Sequence, residues 1–266
     1  MKTLTVLKLG GELFEAAAAR EHIAGLIAAM PGPLVVVHGG GKAIDAELAR
    51  RGIQPRKVDG LRITDAGTLD AVIAVLAGSA NTSLVAALVA RGVKAVGLTG
   101  VDAGCGRAAH AAPLRATSGE LVDLGLVGDP ADADPALLRT LVDSGYVPIV
   151  ACLGVDDAGQ VLNVNADVMA ARFAQAFVRA RTSGDEAVSL VIAGTTPGVF
   201  GDDGQTLPAL DLDGIDAMIA SGAANAGMVA KLNACRAALD AGVGTVTIVD
   251  GRDLHTGTTL VAGVRA

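Results

Sequence analysis

Two lysines stand where an apolar run meets a turn or a helix start: Lys8, closing Leu4-Thr5-Val6-Leu7, and Lys231, in Gly227-Met228-Val229-Ala230-Lys231. The chain has only six lysines, so two at element ends read as positive charge kept for an anion. Between them lie Lys8-Leu9-Gly10-Gly11, His38-Gly39-Gly40-Gly41 and Asn163-Val164-Asn165-Ala166-Asp167, each where a strand-like run gives way to a turn. Glycine lets backbone N–H groups approach an anion closely, and a following helix turns the positive end of its dipole towards it. Cations and backbone donors gathered in this way suit phosphoryl transfer, where positioning and charge stabilisation supply the rate.

Each motif taken alone allows a plainer reading. His38-Gly39-Gly40-Gly41 follows Leu34-Val35-Val36-Val37 and precedes a helical segment from about Lys42; a tight strand-to-helix turn explains it equally well. It is not a Walker A loop, which needs Gly in place of Val36 and Ser or Thr in place of Ala43, nor a dinucleotide fingerprint, which needs Gly in place of Ile44. A lone Lys8 would be a solvated strand-end lysine. In a parallel sheet, however, strand C-termini share one edge, so the turns at Gly10-Gly11 and Gly40-Gly41 face one crevice. Asn165 fits a helix N-cap with Asp167 in the first turn, a structural role that does not account for Asn163 as well. Arg62, in Asp59-Gly60-Leu61-Arg62-Ile63-Thr64-Asp65, precedes a helix capped by Thr64, where a guanidinium could grip a carboxylate in bidentate fashion or form a surface ion pair. His38 has no acidic partner at metal-ligating spacing and reads as a hydrogen-bonded strand-end histidine.

The elements that must position these groups follow from periodicity. Apolar runs at Thr3–Leu9, Leu34–His38, Lys94–Thr99, Val147–Ala151, Ser189–Ala193 and Thr245–Val249 predict strands. Ala-rich periodic segments at 15–30, 42–51, 65–91, 134–144, 166–181, 213–221 and 227–241 predict helices between them. The alternation specifies a three-layer α/β/α sandwich around a mainly parallel sheet. Residues 104–128 break it and read as a β-hairpin excursion, a lid or rim. The polar stretch Thr182-Ser183-Gly184-Asp185-Glu186 divides a larger lobe, 1–181, from a smaller one, 186–266.

Composition removes other classes. Aromatics are 2% of 266 residues, Trp is absent and the net charge is -7, so neither the stacking platform nor the cationic footprint of a nucleic-acid binder is present. No run approaches 18 uninterrupted apolar residues, and Lys8, Glu12 and Glu15 interrupt any signal-peptide core, so neither a membrane span nor a secretion signal is expected. Cys105, Cys152 and Cys235 are odd in number and far apart, which predicts reduced thiols in a cytoplasmic protein and no zinc site.

In order along the chain, Lys8-Leu9-Gly10-Gly11, the Val37–Asp45 segment, Asp59–Asp65, Asn163–Asp167 and Gly227–Ala234 resemble the motifs of the amino-acid kinase family, and the resemblance spans essentially the whole chain. It implies that family's fold, with the larger lobe taking an acyl-amino-acid and the smaller one MgATP. Within the family, the resemblance is to the branch that phosphorylates the γ-carboxylate of N-acetyl-L-glutamate in arginine biosynthesis. The neighbouring possibilities are a kinase for a related acceptor, such as carrier-linked aminoadipate, and a silent amino-acid-binding regulator. By the same resemblance Lys8 and Lys231 flank the transferring phosphoryl group and Asp167 holds both. Gly10, Gly11, Gly40 and Gly41 donate N–H groups to phosphoryl and substrate. Arg62 and Asn163 bind the α-carboxylate, with Asn165 beside them. Gly194, Thr195, Thr196, Gly198, Asn225 and Gly227 hold the nucleotide, and Mg²⁺ arrives on the ATP without a dedicated protein site. Thr195 stands where the family usually has aspartate. Few residues precede the strand ending at Lys8, so the resemblance further implies a homodimer without the upstream helix of arginine-inhibited hexamers, paired through Leu69–Leu88.

Overall fold

The computed structural model describes residues 3–181, 187–201, 203–224 and 226–263. Eight strands form the central sheet. In chain order they are β1 (Thr3–Leu9), β2 (Leu34–His38), β5 (Ala95–Thr99), β10 (Val147–Ala151), β13 (Ala187–Gly194), β14 (Ala209–Asp211), β15 (Thr245–Asp250) and β16 (Gly257–Val261). They lie in the order β14-β16-β15-β13-β1-β2-β10-β5. Every neighbouring pair is parallel except β15 with β16. The expected parallel sheet is therefore present, and it is continuous from the N-terminal half to the C-terminal half through the β1–β13 ladder, Leu9 beside Ala193. The proposed boundary at 182–186 lies outside the described residues.

Parallel strands covered on both faces must be apolar on both, and here alternate residues feed two cores. Leu4 and Val6 of β1, with Val35 and Val37 of β2, pack into one core; Leu7 and Leu9, with Leu34 and Val36, pack into the other. The first core is completed by α6 (Ala166–Arg179) and α8 (Ala226–Asp240), the second by α1 (Ala17–Ala29) and α4 (Asn81–Ala90). This period-two alternation puts Lys8 in phase with Leu4 and Val6, on the α6 face, and His38 on the α4 face.

The remaining helices are α2 (Gly41–Arg50), α3 (Ala66–Ile73), α5 (Ala136–Asp143) and α7 (Leu212–Ala220). A π-helical segment, Ala74–Ala80, joins α3 to α4, making one helix over 66–90. By length and composition alone that helix could cross a membrane; 44% of its apolar window is buried within the protein. Its N-cap is Asp65, whose carboxylate accepts the Thr68 N–H at 2.8 Å, and not Thr64 as the sequence suggested. Thr64 is engaged otherwise: its hydroxyl donates to the Arg62 carbonyl and accepts from Asn163.

The excursion over 104–128 contains hairpins, but it reaches further than expected. The strands β6 (Gly106–His110) and β9 (Val127–Ala133) join β11 (Leu153–Val155) and β12 (Val161–Val164) in a small closed barrel, while β7 (Leu114–Arg115) and β8 (Leu121–Val122) form a separate ribbon. A further short hairpin, β3 (Lys57–Val58) with β4 (Leu61–Arg62), faces this ribbon. The Asp59 carboxylate accepts hydrogen bonds from the Thr117 backbone N–H and hydroxyl, both at 2.8 Å, and ties the two together. Cys105, just before β6, is buried, and burial pushes its thiol up to about 12.

His38 is fully buried against the edge of the Phe14 ring. The Asn81 amide donates to its Nε2 at 3.0 Å and to the Ile149 carbonyl at 2.8 Å, leaving the ring proton on Nδ1, 3.1 Å from the Gly39 carbonyl. A relay thus runs from the start of α4, through the end of β2, to the glycine turn. Burial pushes the imidazole down from its ordinary 6.5 to about 4, so the folded protein keeps it neutral where the unfolded chain would protonate it. Stability is then lost as pH falls through the window between 6.5 and 4. We expect unfolding in urea to show a loss of about 2.5 kcal/mol between pH 7 and pH 4.5 that a His38→Gln variant lacks. Equal pH dependence in both proteins would refute this.

Candidate active site

The C-terminal ends of β1 and β2 each turn on glycines, and the two turns touch. A Cβ at Gly11 would lie 2.5 Å from Gly40 Cα, a distance no side chain tolerates. Gly40, the N-cap of α2, is itself pressed against Leu76 in the π-helical segment. Nothing lies within 4 Å of a Cβ at Gly41, so that residue borders open space. Of the four glycines expected as N–H donors, Gly10 departs: its N–H is already given to the Ala193 carbonyl at 3.1 Å, which welds the first turn to the end of β13. Gly11, Gly40 and Gly41 line the adjoining cleft, of about 250 Å³.

The Lys8–Asp167 ion pair lines this cleft, Nζ to Oδ1 2.9 Å, with both side chains about nine-tenths buried. Asn165 caps α6 as expected, accepting the N–H groups of Asp167 and Val168 at 2.8 and 3.2 Å. The carboxylate is thereby fixed in the first helical turn, beneath the strand that carries Lys8. Burial alone would depress the lysine; Asp167, assisted by Glu12, outweighs it and holds the ammonium above its ordinary value, so it is charged throughout the physiological range.

Arg62, 8% exposed, lines the same cleft. Its Nη2 meets Asp45 Oδ1 at 2.6 Å and donates to the Gly41 carbonyl at 3.2 Å. Its Nη1 is buried with no hydrogen-bond partner among the described residues. Asp45 Oδ2 pairs with Lys57 at 2.6 Å. Burial would raise the Asp45 carboxyl, but Lys57 and then Arg62 hold it below the usual carboxylate range. Asn163 lines the same cleft and donates to the Thr64 hydroxyl at 3.1 Å, while Ile44, Leu76 and Val127 supply an apolar wall. Sequence reasoning missed Asp45, Lys57 and this wall. Asp45 lies in the quoted Val37–Asp45 segment, one turn into α2, and no local signal pairs it with a residue 17 positions on.

Lys231 departs from its expected place beside Asp167. It is half-buried on α8 and makes no ion pair with Asp167 among the described residues. One carboxylate compensates one buried ammonium. Its charge is nonetheless close: at the buried Cys235 thiol, one turn further along α8, burial and Asp167 raise the pKa while Lys231 and Lys8 oppose them. Cys152, behind Lys8, is likewise pushed up by burial, to about 12.

Of the residues expected at the nucleotide, Gly194 to Gly198 lie at and after the C-terminal end of β13. Gly194 ends β13 and accepts the Gly251 N–H at 2.7 Å, followed by exposed Thr195 and half-buried Thr196. Gly198 has φ +116°, and a Cβ there would lie 2.6 Å from the Thr258 hydroxyl, so only glycine fits. None of these, nor Gly227 at the start of α8, lines the cleft of Lys8 and Arg62. Asn225 lies outside the described residues.

The two glycine turns make a paired test of packing. Gly11→Ala should lower the free energy of unfolding by about 1–3 kcal/mol, the usual cost of overpacking, while Gly41→Ala should leave it within about 0.5 kcal/mol. Urea titrations of both variants check this, and equal effects would mean that the turns do not touch.

Residues 3–250 match the family model described as "Amino acid kinase family". Among curated proteins, an acetylglutamate kinase of Symbiobacterium thermophilum is 44% identical over 225 residues, covering 83% of this chain and 74% of that one. An acetylglutamate kinase of Solibacter usitatus is 41% identical over 249 residues, 92% and 90% of the respective chains. Among solved structures, smu.665 of Streptococcus mutans superposes with a TM-score of 0.80 at 27% identity, covering 98% of this chain and 99% of that one. The parallel sheet, the paired glycine turns and these matches agree that the chain belongs to the amino acid kinase family.

Proposed function

We propose that this chain transfers the γ-phosphoryl group of ATP to the γ-carboxylate of N-acetyl-L-glutamate, yielding ADP and an acyl phosphate, a step in arginine biosynthesis. The relatives called acetylglutamate kinase support the assignment. One structural observation carries it: a single cleft lined both by a buried lysine–aspartate pair and by an arginine with a buried nitrogen that has no partner among the described residues. A dicarboxylate substrate answers both, its α-carboxylate on Arg62 and Asn163, its γ-carboxylate towards Lys8.

The reaction asks little covalent chemistry of the protein. A γ-carboxylate oxygen attacks the γ-phosphorus of ATP, the bond from that phosphorus to the β–γ bridging oxygen breaks, and ADP leaves. The nucleophile is already ionised at neutral pH, so no general base is needed. Lys8 and Lys231 compensate the charge on the transferring group from its two sides, and Asp167 keeps Lys8 aligned. The free N–H groups of the Gly11 and Gly40-Gly41 turns face the same oxygens. The nucleotide occupies the edge formed by Gly194, Thr195, Thr196 and Gly198, with Asn225 and Gly227 at the start of α8. Mg²⁺ comes with the triphosphate, which supplies the ligands and neutralises phosphate charge; among the described residues no cluster of three or more His, Cys, Asp or Glu could hold an ion. We place the enzyme in the cytoplasm as a homodimer joined through the outward face of the helix over 66–90.

Trapping the acyl phosphate as a hydroxamate gives a direct assay. With ATP and Mg²⁺, N-acetyl-L-glutamate should outpace L-glutamate, N-succinyl-L-glutamate and N-acetyl-L-2-aminoadipate; a preference for any of these would replace the substrate assignment. Lys8→Ala should cut turnover on the order of 10³-fold, with circular dichroism used to check folding. A folded variant of near-normal turnover would remove Lys8 from the mechanism.

A further inference from the structure

The Arg62 guanidinium is held from one side only. Nη2 carries both of its contacts, the Asp45 carboxylate at 2.6 Å and the Gly41 carbonyl at 3.2 Å, while Nη1 is buried without a hydrogen-bond partner among the described residues, on a side chain that lines the cleft. The Gly41 contact is neutral and long, so the charged contact with Asp45 dominates the orientation. Asp45 uses its second oxygen on Lys57, the first residue of the β3–β4 hairpin, also at 2.6 Å. Two cations and one carboxylate leave a surplus of one positive charge in this cluster at the cleft wall, which matches a single incoming carboxylate. Without Asp45, the two cations would face each other in a partly desolvated corner and Arg62 would keep only the carbonyl. A buried cation deprived of its counterion reorients towards water when its side chain allows it.

We infer that Asp45 is the positioning residue for Arg62: anchored on α2, it holds the guanidinium in the wall of the cleft, with the unpartnered Nη1 kept for the α-carboxylate of the substrate. This rests on the function proposed above. Asp45 does not itself touch substrate, so its effect must pass through Arg62 and be confined to the acyl-amino-acid.

Steady-state hydroxamate assays on wild type, Asp45→Asn, Asp45→Glu, Arg62→Lys and the double variant Asp45→Asn/Arg62→Lys test this. They are run on whichever acid of the panel wild type turns over best, since all four carry the same α-carboxylate. Asp45→Asn should raise KM for the acid by about tenfold, the scale of one charge-assisted hydrogen bond, with kcat and KM for ATP within about threefold. Asp45→Glu, which retains the charge on a longer stem, should recover part of that loss. In the Arg62→Lys background, adding Asp45→Asn should change KM by less than about twofold, because the group it positions has gone. An unchanged KM in Asp45→Asn, parallel losses for both substrates, or a full second tenfold loss in the double variant would each overturn the inference. The wild-type preference decides the substrate assignment separately. If wild type turns over none of the acids, or Asp45→Asn does not fold, a crystal structure of Asp45→Asn or Asp45→Glu decides: a guanidinium in its original place without the aspartate, or unmoved by the longer glutamate, overturns it, and a displaced one supports it.

Discussion

A single ion pair sets the terms for the rest of the molecule. Lys8 and Asp167 are both buried, and each would be costly to desolvate without the other. Keeping them together requires a central strand whose last inward residue is lysine and a helix whose first turn, on the face covering that strand, carries aspartate. The sheet order meets this requirement by placing β1 between β13 and β2, in the middle, with α6 laid across all three. The charge sits where water is scarce and the effective dielectric is low, so its influence on a neighbouring anion is stronger than at a surface. The same pair stabilises the fold and prepares the site.

The glycine turns solve a matching geometric problem. For two strand ends to present backbone N–H groups to one anion, their turns must approach closer than side chains allow, and the Gly11–Gly40 contact is that approach. It is braced from three sides: by the Gly10 bond to β13, by Leu76 of the π-helical segment, and by the His38–Asn81 relay from the opposite face of the sheet. The cleft floor is thus tied to elements on both faces of the sheet, while the hairpin and ribbon at the rim are tied to each other by the Asp59 carboxylate and by a backbone bridge between Thr64 and Gly125. A floor braced in this way holds a bound substrate in line for transfer.

Much of this was legible in the residues themselves. Thr3–Leu9, Leu34–His38 and Val147–Ala151 occur as strands with the bounds their composition predicts, and the helices fall where apolar periodicity places them, because both signals are local. The Asn165 cap with Asp167 behind it was equally local. What escaped depended on distance in the chain. The barrel strands Leu153–Val155 and Val161–Val164 are too short to be read without their partners. Asp45 looks like a helix-surface acid until Arg62 and Lys57 are brought to it. Gly10 resembles its neighbours in sequence, and only the proximity of Ala193 consumes its N–H. Thr64 fits the profile of a helix cap, but tertiary partners claim its hydroxyl and the cap passes to Asp65.

The three thiols carry a practical corollary. Cys105 lies at the barrel, Cys152 lines the cleft and Cys235 is buried on α8, and burial raises the pKa of all three. Thiolate is the reactive form, so in the closed protein each is a poor target for an alkylating reagent. The rate at which each becomes labelled therefore measures how often its own region opens. Without any engineered probe, the chain holds three clocks for local unfolding, one at the barrel, one in the cleft and one in the helix that carries Lys231.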